Sequence, residues 1–179
     1  SDNLSLENKD LCIFDFDGVL VDSVDLKTRA FAEIYLSYGT KVVEQVVLHH
    51  TKNGGMSRYD KFRHYHNNIL GQEITSKAVE ELSERFSNLV VEKIIKSDEV
   101  EGVSNILDYC KQQKIICTIV SATPKDELRK IVELRGWVEV FKFVYGSPES
   151  KVVNIKKGQF LSPYEMEPLV EKVEHFGGK

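Results

Sequence analysis

The segment Leu11-Cys12-Ile13-Phe14-Asp15-Phe16-Asp17-Gly18 constrains the fold more than any other stretch of the chain. A continuous apolar run leaves no polar face, so a strand built from it is buried on both sides, as in a parallel sheet covered by helices. Where the run breaks into acids and a glycine, the strand leaves the sheet. A second such run, Ile115-Ile116-Cys117-Thr118-Ile119-Val120-Ser121, is rich in β-branched residues and ends in small polar ones. A third, Phe141-Lys142-Phe143-Val144-Tyr145-Gly146, is shorter.

Helical periodicity fills the gaps. Val103, Ile106, Leu107 and Cys110 recur at i, i+3, i+4, i+7 before the second run, and Leu128, Ile131 and Val132 follow it. Strand, helix and strand with short joints predict an α/β fold with a doubly wound, Rossmann-like parallel sheet. Ligands of such sheets bind beyond the carboxyl ends of the strands. Asp15, Asp17 and Ser121 all fall there.

Residues 24–99 break the alternation. Phe31, Ile34, Tyr35 and Tyr38 mark one helix, and Val79, Leu82, Phe86, Leu89 and Val90 another, with shorter helical stretches at 41–50 and 57–70. The expectation is a small α-helical cap inserted into the core, which then comprises 1–23 and 100–179. Its hinges should lie near Val21–Ser23 and Asp98–Gly102.

Composition narrows the function. Among 179 residues, 24 basic against 28 acidic give a formal charge of −4, which offers no global attraction to nucleic acid or an anionic membrane. No uncharged apolar run approaches the roughly 18 residues of a membrane span. The opening Ser1-Asp2-Asn3-Leu4-Ser5 has no charged-then-apolar signal pattern. Cys12, Cys110 and Cys117 are odd in number and lack metal-finger spacing, so reduced core thiols are expected. A soluble cytoplasmic protein is the reading, monomeric or homodimeric, with no nucleic-acid or membrane partner.

Asp15 and Asp17 carry the chemistry. Two residues apart in extended chain, they point the same way. Two carboxylates in one place repel unless a cation sits between them, and Mg2+ takes oxygen ligands of this kind.

Asp15-Phe16-Asp17-Gly18-Val19-Leu20-Val21-Asp22-Ser23 resembles the first signature of the haloacid dehalogenase-like phosphohydrolases, in the subgroup with a helical cap after the first strand. The resemblance runs from residue 10 to about 157. It implies that Asp15 is the nucleophile, forming an aspartyl-phosphate, and that Asp17 is general acid and then base. Both would hold the Mg2+ cofactor. An acid at Asp17 fits phosphate esters, since the true dehalogenases of the family lack one. Ser121 matches the second motif, as a phosphate ligand. Thr123-Pro124-Lys125-Asp126 reads as N-cap, proline at the first helical position and an acid at the third, a helix start whose N–H groups suit a phosphate. Gly18, Ala122 and Thr123 are the accompanying substrate-binding candidates. Lys151, after Gly146-Ser147-Pro148-Glu149-Ser150, is the candidate for the third motif, where an ammonium would neutralise phosphoryl oxygens.

Within the insert, Lys41, Lys52, Arg58, Lys61 and Arg63 outnumber Glu44 and Asp60 over residues 41–70. Gly55-Met56-Ser57-Arg58 resembles the cap substrate loop of β-phosphoglucomutase-like members, where the arginine grips the unreacting end of the substrate. That makes Arg58 and Lys52 substrate-binding candidates, the alternative for Arg58 being a solvent-exposed helix start. Lys27 stands where those mutases carry a histidine, which favours phosphatase over mutase. His49-His50 and His64-Tyr65-His66 do not share a helix face and have no accompanying cysteine, so no metal site is expected there. Phe62, Tyr65 and Ile69 should instead form an apolar face.

The chain departs from the family after Lys151. No aspartate follows Asp126, so the fourth motif, a Gly-Asp-rich turn, is missing, and Glu165 is the one conceivable substitute. Ser162-Pro163-Tyr164-Glu165 and the stripe Met166, Leu169, Val170, Val173, Phe176 predict a tail helix. The function expected is hydrolysis of a small phosphorylated metabolite through an aspartyl-phosphate. The alternatives are a catalytically impaired or truncated member, and a phosphomutase. A signalling receiver domain, which also uses Asp, Ser/Thr and Lys, would lack the helical insert.

Overall fold

The computed structural model describes residues 10–151. In chain order the elements are β1 (Leu11–Phe14), α1 (Val24–Tyr35), α2 (Thr40–Lys52), α3 (Arg58–His64), α4 (Ser76–Lys96), α5 (Val103–Gln112), β2 (Ile116–Pro124), α6 (Lys125–Leu134) and β3 (Phe141–Ser147). The chain divides into two compact units, one running to Leu20 and resuming at Glu99, the other spanning Val21–Asp98. The missing-motif region and the expected tail helix, including Gly158 and Glu165, lie outside the described residues.

The first unit is built on a parallel sheet in the order β1-β2-β3. Parallel neighbours cannot be joined by a tight turn, so each crossover carries helix; α6 makes the one from β2 to β3. All four residues of β1 are buried, as its unbroken apolar sequence requires. Leu11 and Ile13 pack with Ile116 and Val120. Phe14 meets Phe141 edge-on at 5.9 Å, and Trp137 meets Phe16 at 6.4 Å and Phe141 at 5.6 Å. Burial of each such side chain is worth about 1.5–3 kcal/mol. The three cysteines are buried and reduced, as expected. Desolvation pushes the Cys12 and Cys117 thiols up, with Cys110 adding to both, so they stay protonated and inert.

The second unit packs its helices around Phe31, whose ring lies 4.5 Å from Phe86, 5.5 Å from Phe62 and 5.8 Å from Tyr65. Tyr35, Phe62 and Tyr65 are fully buried, in line with the apolar face expected of the last two. Tyr38 falls outside α1, in a 3-10 turn over Leu36–Tyr38, and is exposed. Gly39 follows at φ 93°, outside the helical region, and a new helix begins there rather than the first continuing. Ser57 caps α3 by accepting from Asp60 N at 3.2 Å and donating to Asp60 Oδ2 at 2.8 Å, a reciprocal capping arrangement. Tyr65–Leu70 winds as a π-helical turn that ends at Gly71, φ 65°. Among the described residues no helix is long and apolar enough to cross a membrane.

Candidate active site

β1 stops at Phe14, so the acids lie just past the strand. Phe16 is fully buried while Asp15 and Asp17 on either side of it are only half-buried. The alternation places the ring in the core and both carboxylates on the other side, as the spacing predicts. Asp15 Oδ1 accepts from the Phe16 N–H at 2.7 Å. The chain then turns tightly: the N–H groups of Val19 and Leu20 both donate to Phe16 O, and Gly18, just before Val19, takes the left-handed position at φ 71°.

The end of β2 supplies the hydroxyls. Opposite β3, its register slips between Val120 and Pro124: Val120 pairs with Tyr145, and Pro124 with Ser147. Such an irregularity re-aims side chains. Ser121 and Thr123, two apart, share the buried side, while Ala122 and Pro124 face the other way and are half-buried. Thr123 N–H and Ser121 Oγ lie 3.2 Å apart, and the Ser121 hydroxyl donates to Thr123 Oγ1 at 3.2 Å. Thr123 Oγ1–H donates in turn to Asp17 Oδ2 at 3.4 Å. The structure thus brings Asp17, Ser121 and Thr123 into one hydrogen-bonded chain.

One local expectation is corrected. Thr123 does not cap α6. β2 runs on through Pro124, which occupies the N-cap position with extended ψ and no side-chain cap. Thr123 remains in the strand, its hydroxyl drawn to Asp17 and Ser121 instead. A proline at the N-cap also holds the residue before it in extended backbone.

The third strand presses against this corner. A Cβ on Gly146 would collide with the Lys125 backbone and would stand 2.6 Å from Thr123 O. Lys151 closes a 3-10 turn, Glu149–Lys151, just beyond β3; its ammonium lies outside what the structure describes. That turn is tied to α6. Glu149 accepts from Arg129 Nη2 at 2.9 Å and lies 3.6 Å from Lys125 Nζ, and Arg129 also donates to Val144 O. Sequence reasoning did not single out Glu149, Arg129, Lys125 or Gly146. The signal present was the i, i+4 spacing of Lys125 and Arg129, one basic face on α6 two residues from the proposed corner.

Arg58 and Lys52 belong to the helical unit. Lys52 is exposed at the end of α2. Arg58 is not the solvent-exposed helix start considered above: it is 5% exposed, donates to Ser87 Oγ at 2.7 Å and to Ser83 O at 3.4 Å, and lies over the Phe86 ring at 4.5 Å. Lys61 is buried too, with Nζ 2.9 Å from His50 Nδ1. His49 and His64 come from different helices and stack at 4.0 Å. No group of three or more His, Cys, Asp or Glu side chains poised for a metal occurs among the described residues.

A family model described as haloacid dehalogenase-like hydrolase matches residues 12–156. Among solved structures, a predicted phosphoglycolate phosphatase from Haemophilus somnus is 16% identical, with a TM-score of 0.60 over 95% of this chain and 74% of its own. A β-phosphoglucomutase from Clostridium difficile is 18% identical, with a TM-score of 0.64 over 93% of this chain and 71% of its own. At these identities the likeness is one of fold. Curated relatives of a different name also match: 2-dehydro-3-deoxyphosphooctonate aldolases of Stenotrophomonas maltophilia and Xanthomonas campestris pv. campestris, 30% and 33% identical over 89 residues, 44% of this chain. The chain spans about a third of the length of these relatives, 31%.

Proposed function

Because the chain belongs to the haloacid dehalogenase-like hydrolases, we propose that it is a Mg2+-dependent phosphohydrolase acting on a small phosphorylated metabolite through an aspartyl-phosphate. The observation that carries the reading is the hydrogen-bonded chain from Ser121 through Thr123 to Asp17, with Asp15 two residues away, at the carboxyl edge of a parallel sheet. Electrostatics alone would drive two neighbouring carboxylates apart, whereas a phosphoryl group with a cation needs both.

In the first half-reaction an Asp15 oxygen forms a bond to phosphorus as the bond to the leaving oxygen breaks. Asp17 gives its proton to that oxygen, and the alcohol departs. In the second, water attacks phosphorus, Asp17 takes a water proton, and the Asp15–phosphorus bond breaks to release inorganic phosphate. In this reading the Ser121 hydroxyl and the backbone N–H groups of Gly18 and Ala122 would bind phosphoryl oxygens, and Lys151 would supply positive charge.

The Asp15 carboxylate would hold Mg2+ directly, and Asp17, whose carboxyl group carries the proton in the first half-reaction, could contribute its main-chain carbonyl oxygen. Mg2+ is commonly held by one or two carboxylates together with water and substrate phosphate, so the donor set suits it. Bound there, Mg2+ would offset the charge of nucleophile and phosphoryl group. Lys27 in place of the mutase histidine favours transfer to water over transfer to sugar.

The test offers the full chain an aryl phosphate, phosphoglycolate, a phosphoglucose and 2-dehydro-3-deoxyphosphooctonate with Mg2+, following phosphate release. Asp15→Asn should abolish hydrolysis while leaving the circular-dichroism spectrum unchanged; turnover retained above a few per cent overturns the assignment. Asp17→Asn should cost roughly 10²–10⁴-fold, the share of general acid–base catalysis.

A further inference from the structure

Resting on the phosphohydrolase reading, we propose that Thr123 is a positioning residue whose hydroxyl holds the Asp17 carboxylate in its acid–base orientation. Sequence alone suggested a helix cap or a substrate contact. The cap role is gone, since α6 starts on Pro124 without a side-chain cap. What remains is a side chain 4% exposed, fixed at both ends of its hydroxyl: it accepts from Ser121 Oγ at 3.2 Å and donates to Asp17 Oδ2 at 3.4 Å. A hydroxyl has one proton to give: that of Ser121 rests on Thr123 Oγ1 here and would turn to a phosphoryl oxygen with substrate bound, while that of Thr123 goes to Asp17 in either state.

Three features make this hydroxyl a good orienter. Threonine is branched at Cβ and stiff at χ1, so the oxygen is aimed by the strand rather than by a floppy stem. The alternation along β2 puts Ser121 and Thr123 on one buried side, and Thr123 reaches Asp17 just past the first strand. The Ser121 side chain is itself fixed against the Thr123 N–H, which ties both hydroxyls to backbone. Thr123 therefore fixes Oδ2 and, with it, the plane of the Asp17 carboxyl group. At 3.4 Å the contact is long, in keeping with acid–base pairs that tighten only with substrate bound.

The experiment uses Thr123→Val, which keeps shape and loses the hydroxyl, and Thr123→Ser, which keeps the hydroxyl. With an alkyl phosphate, whose leaving oxygen needs a proton, Thr123→Val should lower kcat roughly 10-fold or more, part of what a general acid supplies, with KM unchanged. With an aryl phosphate carrying a good leaving group the loss should shrink to about 2-fold, and Thr123→Ser should restore both. In an Asp17→Asn background the valine substitution should cost nothing further. A rise in KM alone would make Thr123 a substrate contact. Equal losses on both esters, or a loss persisting without Asp17, would make it merely structural. A crystal structure of Thr123→Val reads the same claim without turnover: the Asp17 carboxylate should leave its present rotamer, and its staying put overturns the proposal. Absence of hydrolysis by the wild type would overturn the phosphohydrolase reading instead, and the Asp17 rotamer would still decide the role of Thr123.

Discussion

Gly146 shows how little room the corner between β2, α6 and β3 leaves. Its hydrogen faces the Lys125 backbone, with Lys125 N and Thr123 O both 2.6 Å from where a Cβ would stand. These are backbone atoms at the junction of a strand and a helix, and they cannot swing aside as a side chain would. Gly146→Ala should therefore push α6 and the Thr123 carbonyl away from β3. The cost expected for such overpacking is about 1–3 kcal/mol, read as a lowered Tm. Hydrolysis should fall with it, because Thr123 moves; a variant with unchanged Tm and kcat would show that the corner has slack. Phe16 works by the same economy on the other side of the site. By filling the core beside Trp137 it fixes the turn that carries Asp15 and Asp17.

Among elements, the strands and most helices were readable because each carries an apolar period matched to its burial. β1 emerged from an unbroken apolar run, β2 from one rich in β-branched residues and β3 from a shorter one interrupted by Lys142, and α5 and α6 from i, i+3, i+4 stripes. The junction of β2 with α6 was misread because the tetrapeptide Thr123–Asp126 satisfies a local capping rule while tertiary contacts claim the threonine. For Arg58 the solvent-exposed alternative failed for a related reason. Its type predicts solvent, yet α4 offers it Ser87, the Ser83 carbonyl and the Phe86 ring. The histidines of α2 and α3 were passed over because facing helices, not sequence spacing, bring them together. His49 lies against His64 and 3.4 Å from Tyr65 Oη, and burial first, then the His64 and Lys61 charges, hold its pKa below the ordinary 6.5. Burial lowers His66 as well. The neutral forms are thus the folded ones, and below 6.5 the unfolded chain binds more protons than the folded one. Stability should be intact above that pH and decline as pH falls through the folded-state values. His49→Gln should flatten the dependence of Tm on pH between about 7 and 5, the window set by the unperturbed imidazole; an unchanged slope would relieve His49 of the role.

For the molecule as a whole, two units of different architecture share one chain, and the proposed chemistry draws on the sheet unit for its nucleophile, acid–base pair and hydroxyls. In the sequence, residues 24–99 stand apart because they abandon the strand–helix alternation. The hydrogen-bonded order within the site was not legible, since it joins Asp17 to Thr123 across a sequence separation of 106, which no local pattern encodes. The described residues offer Mg2+ two acids, Asp15 and Asp17, and no third acid gathers with them. Mg2+ keeps several waters and leans on substrate phosphate, so such a site would bind it weakly without substrate. Each further carboxylate would add charge attraction in a half-buried setting, where it is screened less than at the surface. Hydrolysis should therefore rise with Mg2+ through the millimolar range and be abolished by a chelator. Half-saturation should fall as substrate concentration rises, because the phosphate completes the coordination. Saturation at micromolar Mg2+, independent of substrate, would mean that an acid from outside residues 10–151 joins the pair.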